Sequence, residues 1–114
     1  MEDTIFDRIL RKEIPADIVF ENDDVVSFRD ISPQAPVHVL VVPRVRMRSL
    51  SEAPAHDPAA LGAFLQGIAK TAVTLGLERG GYRVVFNTGK DALQTVEYVH
   101  AHILGGRALK WPPG

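Results

Sequence analysis

Cysteine is absent from the 114 residues, which excludes disulfides, thiolate metal sites and thiol nucleophiles and fits a reducing compartment. No uninterrupted apolar stretch of roughly 18 residues occurs, so no membrane-spanning helix is expected. A dominant sign of charge is missing too: 13 Lys+Arg stand against 14 Asp+Glu, for a net charge of −1. That balance argues against an extended nucleic-acid-binding surface and leaves small molecules as the expected phosphate partners. Internal repeats, low-complexity tracts and a second-domain boundary are also lacking. Met1-Glu2-Asp3-Thr4 is acidic where a secretory leader would be basic, so the expectation is a cytoplasmic protein with neither membrane nor nucleic acid as partner.

Hydrophobic residues make up 46% of the chain and charged residues 24%, a balance suited to one modest core, so residues 1–114 are expected to form one domain. Asp3 or Thr4 can cap a short helix presenting Ile5, Phe6, Ile9 and Leu10, which Ile14-Pro15 interrupts. Apolar runs at 16–21 and 25–29 flank Glu21-Asn22-Asp23-Asp24 and predict a hairpin. The prolines of 30–36 predict a rigid loop before a strand over 37–42, ended by Pro43. The nearly continuous apolar character of that strand implies a sheet interior covered on both faces. Arg44, Arg46 and Arg48 read as a solvated loop in preference to a phosphate contact, since no glycine-rich cradle accompanies them.

Residues 59–77 place Leu61, Phe64, Leu65, Ile68, Ala72 and Leu75 at helical spacing. Gly62 and Gly67 each weaken that helix by about 1 kcal/mol unless close packing compensates. A strand over 82–86, a loop, a strand over 96–106 and an extended arm over 107–114 complete the chain. The pattern is α+β: a mostly antiparallel five-stranded sheet with one long and one short helix.

The stretch 96–106, Val-Glu-Tyr-Val-His-Ala-His-Ile-Leu-Gly-Gly, carries the chemistry. Strand alternation sets Val96, Tyr98, His100 and His102 on one face and Val99, Ala101 and Ile103 on the other. A neutral imidazole can attack phosphorus or carry a proton near neutrality, and Asn87 and Thr95 would add neutral donors to a phosphoryl group. The same spacing also fits a metal held by two imidazoles, with His38 as third ligand. Glu97 falls on the opposite face, however, and no carboxylate completes that set. A third reading makes the histidines structural, and His56 reads as an exposed loop residue. The residues by themselves leave these readings open.

The run Val99-His100-Ala101-His102-Ile103-Leu104-Gly105-Gly106-Arg107, followed by Trp111-Pro112-Pro113-Gly114, resembles the histidine-triad nucleotide-binding family, in its purine nucleoside phosphoramidase branch. Lys12-Glu13-Ile14-Pro15-Ala16, Asp30-Ile31-Ser32-Pro33-Gln34-Ala35-Pro36-Val37-His38 and Gly81-Tyr82-Arg83-Val84-Val85-Phe86-Asn87 match in the family's order across almost the whole chain. The resemblance implies a homodimer whose sheets join into one, with each arm reaching toward the other subunit's site and Trp111 as a cross-subunit contact. It implies binding of purine nucleoside monophosphates and hydrolysis of phosphoramidates or acyl phosphates through a nucleotidyl-histidine intermediate, with no cofactor and no metal.

On that resemblance His100 is the nucleophile and His102 touches the phosphate or leaving group. His38 lies at the nucleotide site, Asp30 takes the ribose hydroxyls, and Asn87 and Thr95 sit near the phosphate. Phe6, Ile14, Ile18, Phe28 and Leu40 line the base pocket, for which core packing is an equally good account. A catalytically weak nucleotide sensor or scaffold using the same pocket is the alternative function.

Three positions depart from the family's pattern. The first histidine of its His-x-His-x-His motif is here Tyr98, Arg46 stands where many relatives carry another histidine, and Ala92-Leu93 replace Gly-Gly. A phenol of pKa about 10 cannot carry protons near neutrality, though it can donate a hydrogen bond to substrate. In the family the nucleophile is oriented by the backbone carbonyl of the first triad position, which any side chain preserves. Retained P–N cleavage with altered substrate preference or slower turnover is the expectation.

Overall fold

Thr4 starts the first helix. Its hydroxyl accepts from the amides of Phe6 and Asp7, and the Asp7 carboxylate accepts from the Thr4 amide, forming a capping box for α1 (Ile5–Leu10). The computed structural model describes residues 3–114; Met1 and Glu2 of the acidic lead-in lie outside the described residues. Five strands follow: β1 (Ile18–Glu21), β2 (Val25–Arg29), β3 (Val37–Pro43), β4 (Tyr82–Phe86) and β5 (Ala101–Gly105). They form one sheet in the order β1-β2-β3-β5-β4, antiparallel at every pairing, as the α+β expectation requires. In the β1–β2 turn the Asn22 side chain accepts from the amides of Asp24 and Val25, each at 2.8 Å, which fixes the reversal.

The sheet has two unlike faces. Val25, Val39, Val41, Ala101 and Ile103 pack against Phe64, Ile68 and Ala72 of α2 (Pro58–Thr74). On the other face, Val26, Phe28, Leu40 and Val42 pack against Phe6 and Ile9 of α1 and against Tyr98. Both faces of β3 are therefore covered, as its apolar run implies. Among the described residues no helix is long and apolar enough to cross a membrane.

The long helix differs from the expected 59–77 at both ends. Asp57 caps it and Pro58 takes the first turn, while Gly76, at φ +71°, turns the chain at the other end. There the Leu77 amide donates to Ala72 O and the Gly76 amide to Val73 O, both at 3.0 Å, a Schellman closure. Leu77 returns to the core beyond that turn. Leu65 does not join the buried stripe: it is 61% exposed, because Phe64, Ile68, Thr71 and Ala72 face the sheet and position 65 is rotated off that line.

The histidine strand is also shorter than 96–106. Its ladder to β3 begins at Val41↔Ala101, since continuing it would bring up Pro43, which has no N–H to offer. The Val99 amide instead donates to Met47 O at 2.7 Å. Alternation nevertheless persists through the unpaired residues, with Val99 in the α2-side core and Tyr98 in the opposite one.

Close approach of α2 to the sheet occurs at only one of its two glycines. A Cβ on Gly67 would meet the Val25 methyl carbons at 2.6 and 2.7 Å, whereas one on Gly62 would meet nothing within 4 Å. Gly67→Ala is therefore expected to destabilise the fold by about 1–3 kcal/mol through overpacking. Gly62→Ala should be neutral or stabilise by up to about 1 kcal/mol through helix propensity. Urea unfolding of the two variants checks the contrast.

Candidate active site

A cleft of about 550 Å³ opens on the sheet face opposite α2. Phe6, Phe28 and Leu40 form apolar wall, while Asp30, Thr95, His100 and His102 bring polar groups to it. The β3–β5 register sets Leu40 opposite His102, and alternation then brings His38 and His100 onto the same side.

The hydrogen bonds determine which ring nitrogens carry protons. His100 Nδ1 lies 2.7 Å from Tyr98 O, a carbonyl that can only accept, so Nδ1 bears the proton and Nε2 keeps its lone pair. The Gln34 amide donates to His38 Nδ1 at 3.0 Å. Neutral His38 therefore carries its proton on Nε2, which lies 2.9 Å from His102 Nδ1. That nitrogen accepts, leaving His102 Nε2 as an N–H. Within one cleft, then, His100 offers a lone pair and His102 offers a donor.

Burial keeps all three rings neutral. It lowers the His38 pKa against the opposing pull of Asp30, and it lowers that of His100 against the Tyr98 carbonyl hydrogen bond and Asp30. His102 is pushed furthest, from 6.5 to about 4, by burial first and then by its two histidine neighbours, with Asp30 opposing. Asp30 Oδ2 lies 3.4 Å from His38 Nε2, and its Oδ1 accepts from the Ser32 amide at 2.8 Å.

Asp30, His38 and His102 offer ligand atoms that lie within 4.8 Å of one another. Asp30 is thus the carboxylate that the sequence reading of a metal site lacked. A cation there would have to displace the His38–His102 hydrogen bond, because His38 Nδ1 is already engaged by the Gln34 amide.

The other expected site residues divide. Asn87 follows Phe86, the last β4 residue paired with β5, opposite Ala101, and is not among the residues that line the cleft. Ile14 and Ile18 line a neighbouring cleft of about 360 Å³, which shares Pro15 and Ala16 with the main one, so neither is a wall of the histidine cleft. Tyr98 is 1% exposed and lies in the core beneath the histidines, with no place on the cleft surface. Its phenol faces the end of β3 and donates to Pro43 O at 2.5 Å. Trp111 is 79% exposed, with the Arg83 guanidinium 5.7 Å from its ring centroid, and is no part of this cleft.

Sequence reasoning passed over Ile5, Ile31 and Val96 as cleft walls; Val96 was findable from its shared period with His100. It also passed over Gln94, which ties down the loop before Thr95. The Gln94 side chain accepts from the Gly89 amide at 3.0 Å and donates to Arg48 O at 2.7 Å and Val96 O at 3.0 Å. Leu93 holds a left-handed φ of +60° there, a conformation costing a side-chain-bearing residue about 1–2 kcal/mol.

Residues 11–109 match the family described as HIT domain. A 14 kDa zinc-binding protein of Zea mays is 46% identical, over 97% of this chain and 88% of its own. The crystal structure of a HIT family hydrolase from Legionella pneumophila superposes with a TM-score of 0.92 at 40% identity, covering 98% of this chain and all of the other. A histidine triad nucleotide-binding protein from Candida albicans superposes at 0.81 and 30% identity, over 98% of this chain and 85% of its own.

The depressed histidines set a pH dependence of stability. Unfolded His102 titrates at its ordinary 6.5 and folded His102 at about 4, so between those values the unfolded chain binds more protons. Stability should be full above pH 6.5 and fall as the pH drops toward 4. Urea midpoints between pH 7 and 4.5 are expected to fall less steeply for His102→Asn than for the wild type.

Proposed function

The chain belongs to the HIT domain family, and on that premise we propose that it is a nucleotide-binding hydrolase that cleaves the P–N bond of purine nucleoside phosphoramidates through a nucleotidyl-His100 intermediate. The observation that carries this reading is the 2.7 Å hydrogen bond from His100 Nδ1 to Tyr98 O. It leaves Nε2 unprotonated in a ring that lines the cleft, which is what nucleophilic attack on phosphorus needs. The group that makes this bond is a main-chain carbonyl, which a tyrosine at 98 supplies as a histidine would.

In the first step the Nε2 lone pair forms a bond to phosphorus as the bond from phosphorus to the amine breaks. His102 Nε2–H donates to a phosphoryl oxygen, stabilising charge as it develops. At a pKa of about 4 His102 is a neutral donor at working pH, so the departing amine takes its proton from water in the cleft. The hydroxide left by that water then attacks phosphorus, the His100–phosphorus bond returns its electrons to Nε2, and the nucleoside monophosphate leaves.

Asn87 and Thr95 assist at the phosphate, Asp30 at the ribose hydroxyls, and Phe6, Phe28 and Leu40 at the base. His38 orients His102 through their shared hydrogen bond. A homodimer and a role for Trp111 at a partner's site belong to the same proposal. The exposed β4 edge, with Tyr82 39% and Val84 37% exposed, supports it; a sedimentation mass of one chain would overturn that part. The residues 1–114 are taken as one domain, with 107–114 as its arm.

A metal reading rests on the Asp30–His38–His102 cluster and on the name of the maize relative. One set of assays separates it from the proposal. With an adenosine phosphoramidate, wild-type protein should accumulate a nucleotidyl adduct visible by mass spectrometry, which His100→Ala lacks while still binding AMP. His102→Ala should lose roughly 10²–10³ in kcat, as expected for removing one donor at a developing charge. Chelator treatment should leave turnover unchanged. Loss of turnover restored by zinc would instead favour the metal, and AMP binding without adduct or turnover would favour the sensor.

A further inference from the structure

Beneath the cleft lies a polar cluster to which the hydrolytic reading assigns no task. The Tyr98 hydroxyl donates to Pro43 O at 2.5 Å, and the Arg46 guanidinium lies 5.8 Å from the Tyr98 ring centroid. Arg46 Nη2 in turn pairs with Asp7 Oδ2 at 3.0 Å. That oxygen also accepts from the Thr4 amide at 2.7 Å and from the Thr4 hydroxyl at 2.9 Å. Asp7 and Thr4 cap α1, and α1 carries Phe6, whose ring meets Tyr98 at 6.2 Å and His100 at 4.9 Å, both edge to face.

These contacts close a circuit around the nucleophile. One side runs from the Tyr98 carbonyl to His100 Nδ1. The other runs from the Tyr98 ring through Arg46 and Asp7 to α1, and back through Phe6 to the His100 ring. The circuit sits where the sheet gives little support, because the β3–β5 ladder begins only at Ala101. The peptide that orients His100 therefore depends on what its side chains grip. A phenol suits that grip: it reaches the Pro43 carbonyl as a donor, and burial raises its pKa to about 12, so the donor is retained at every working pH.

We infer that Tyr98, Arg46 and Asp7 form a latch of positioning residues that holds both the carbonyl orienting His100 and the α1 wall against which its ring rests. The inference extends the hydrolase reading, and the two are tested separately. Tyr98→Phe keeps the ring and removes the grip on Pro43, Arg46→Met removes the ion pair, and Arg46→Lys keeps a charge for Asp7. The first readout needs no substrate: nitrogen-15 NMR of the His100 ring in the intact protein. Wild type and Arg46→Lys should show the Nδ1–H tautomer alone, and the other two variants a mixture of tautomers.

The second readout is single-turnover adduct formation with an adenosine phosphoramidate. It should slow by roughly 10- to 100-fold in Tyr98→Phe and Arg46→Met, with AMP affinity held within about twofold and with most of the rate returning in Arg46→Lys. An unchanged His100 tautomer in folded Tyr98→Phe and Arg46→Met would overturn the latch. So would equal losses of rate and of AMP affinity, which signify general loosening. Absence of adduct in the wild type would strike the hydrolase reading alone, with the NMR result still deciding the latch.

Discussion

Pairing of β3 with β5, with Leu40 opposite His102 and Val41 opposite Ala101, is the constraint on which the rest of the molecule depends. It sends Val39, Val41, Ala101 and Ile103 into the core beneath α2 and turns His38 and His102 to meet on the other side. A slip of one residue would exchange the faces, burying imidazoles under an apolar helix and exposing valines in the cleft. Everything on the α2 side helps to hold that register. Gly67 lets the helix settle onto Val25. Thr71, fully buried, donates its one O–H to Gly67 O at 2.8 Å and so accepts from the Ser27 hydroxyl at 2.7 Å, joining α2 to β2.

Neutrality of three closely set imidazoles follows from the same arrangement. Each is buried enough to resist protonation, and each has a partner that selects one tautomer. The partners at the two ends are main-chain groups, the Tyr98 carbonyl and the Gln34 amide. Main-chain groups do not titrate, so the division between lone pair at His100 and donor at His102 persists across the working pH range. Asp30, beside His38 at 3.4 Å, opposes the effect of burial at all three.

Much of this was legible in the sequence because period and turn chemistry are local. The strands themselves, the β1–β2 hairpin, the capped first helix and the shared face of Tyr98, His100 and His102 follow from alternation and from residues such as Asn22 and Thr4. What escaped depended on distant partners. That β5 would yield its ladder at Ala101 required knowing that Pro43 lay opposite. Leu65 is as apolar as its neighbours, and its exposure shows only once the sheet fixes the line of α2 through Phe64, Ile68, Thr71 and Ala72 as the buried one. Asp30 was singled out by resemblance alone, and its place beside His38 and His102 is a product of the loop that returns to β3. Tyr98 shares a face with the histidines, but face alone does not say whether a side chain lines a cleft or lies under it.

The Gln34 amide that pins His38 has a consequence for how material must move. A row of imidazoles ending on a group that cannot release or regain a proton is a fixture and not a conduit: it polarises what sits in front of His102 without passing anything through the protein. In the hydrolysis proposed above, a proton for the leaving group and the attacking water would both come from the solvent side of the cleft, whose lining includes Ile5, 50% exposed, and Ile31, 97% exposed.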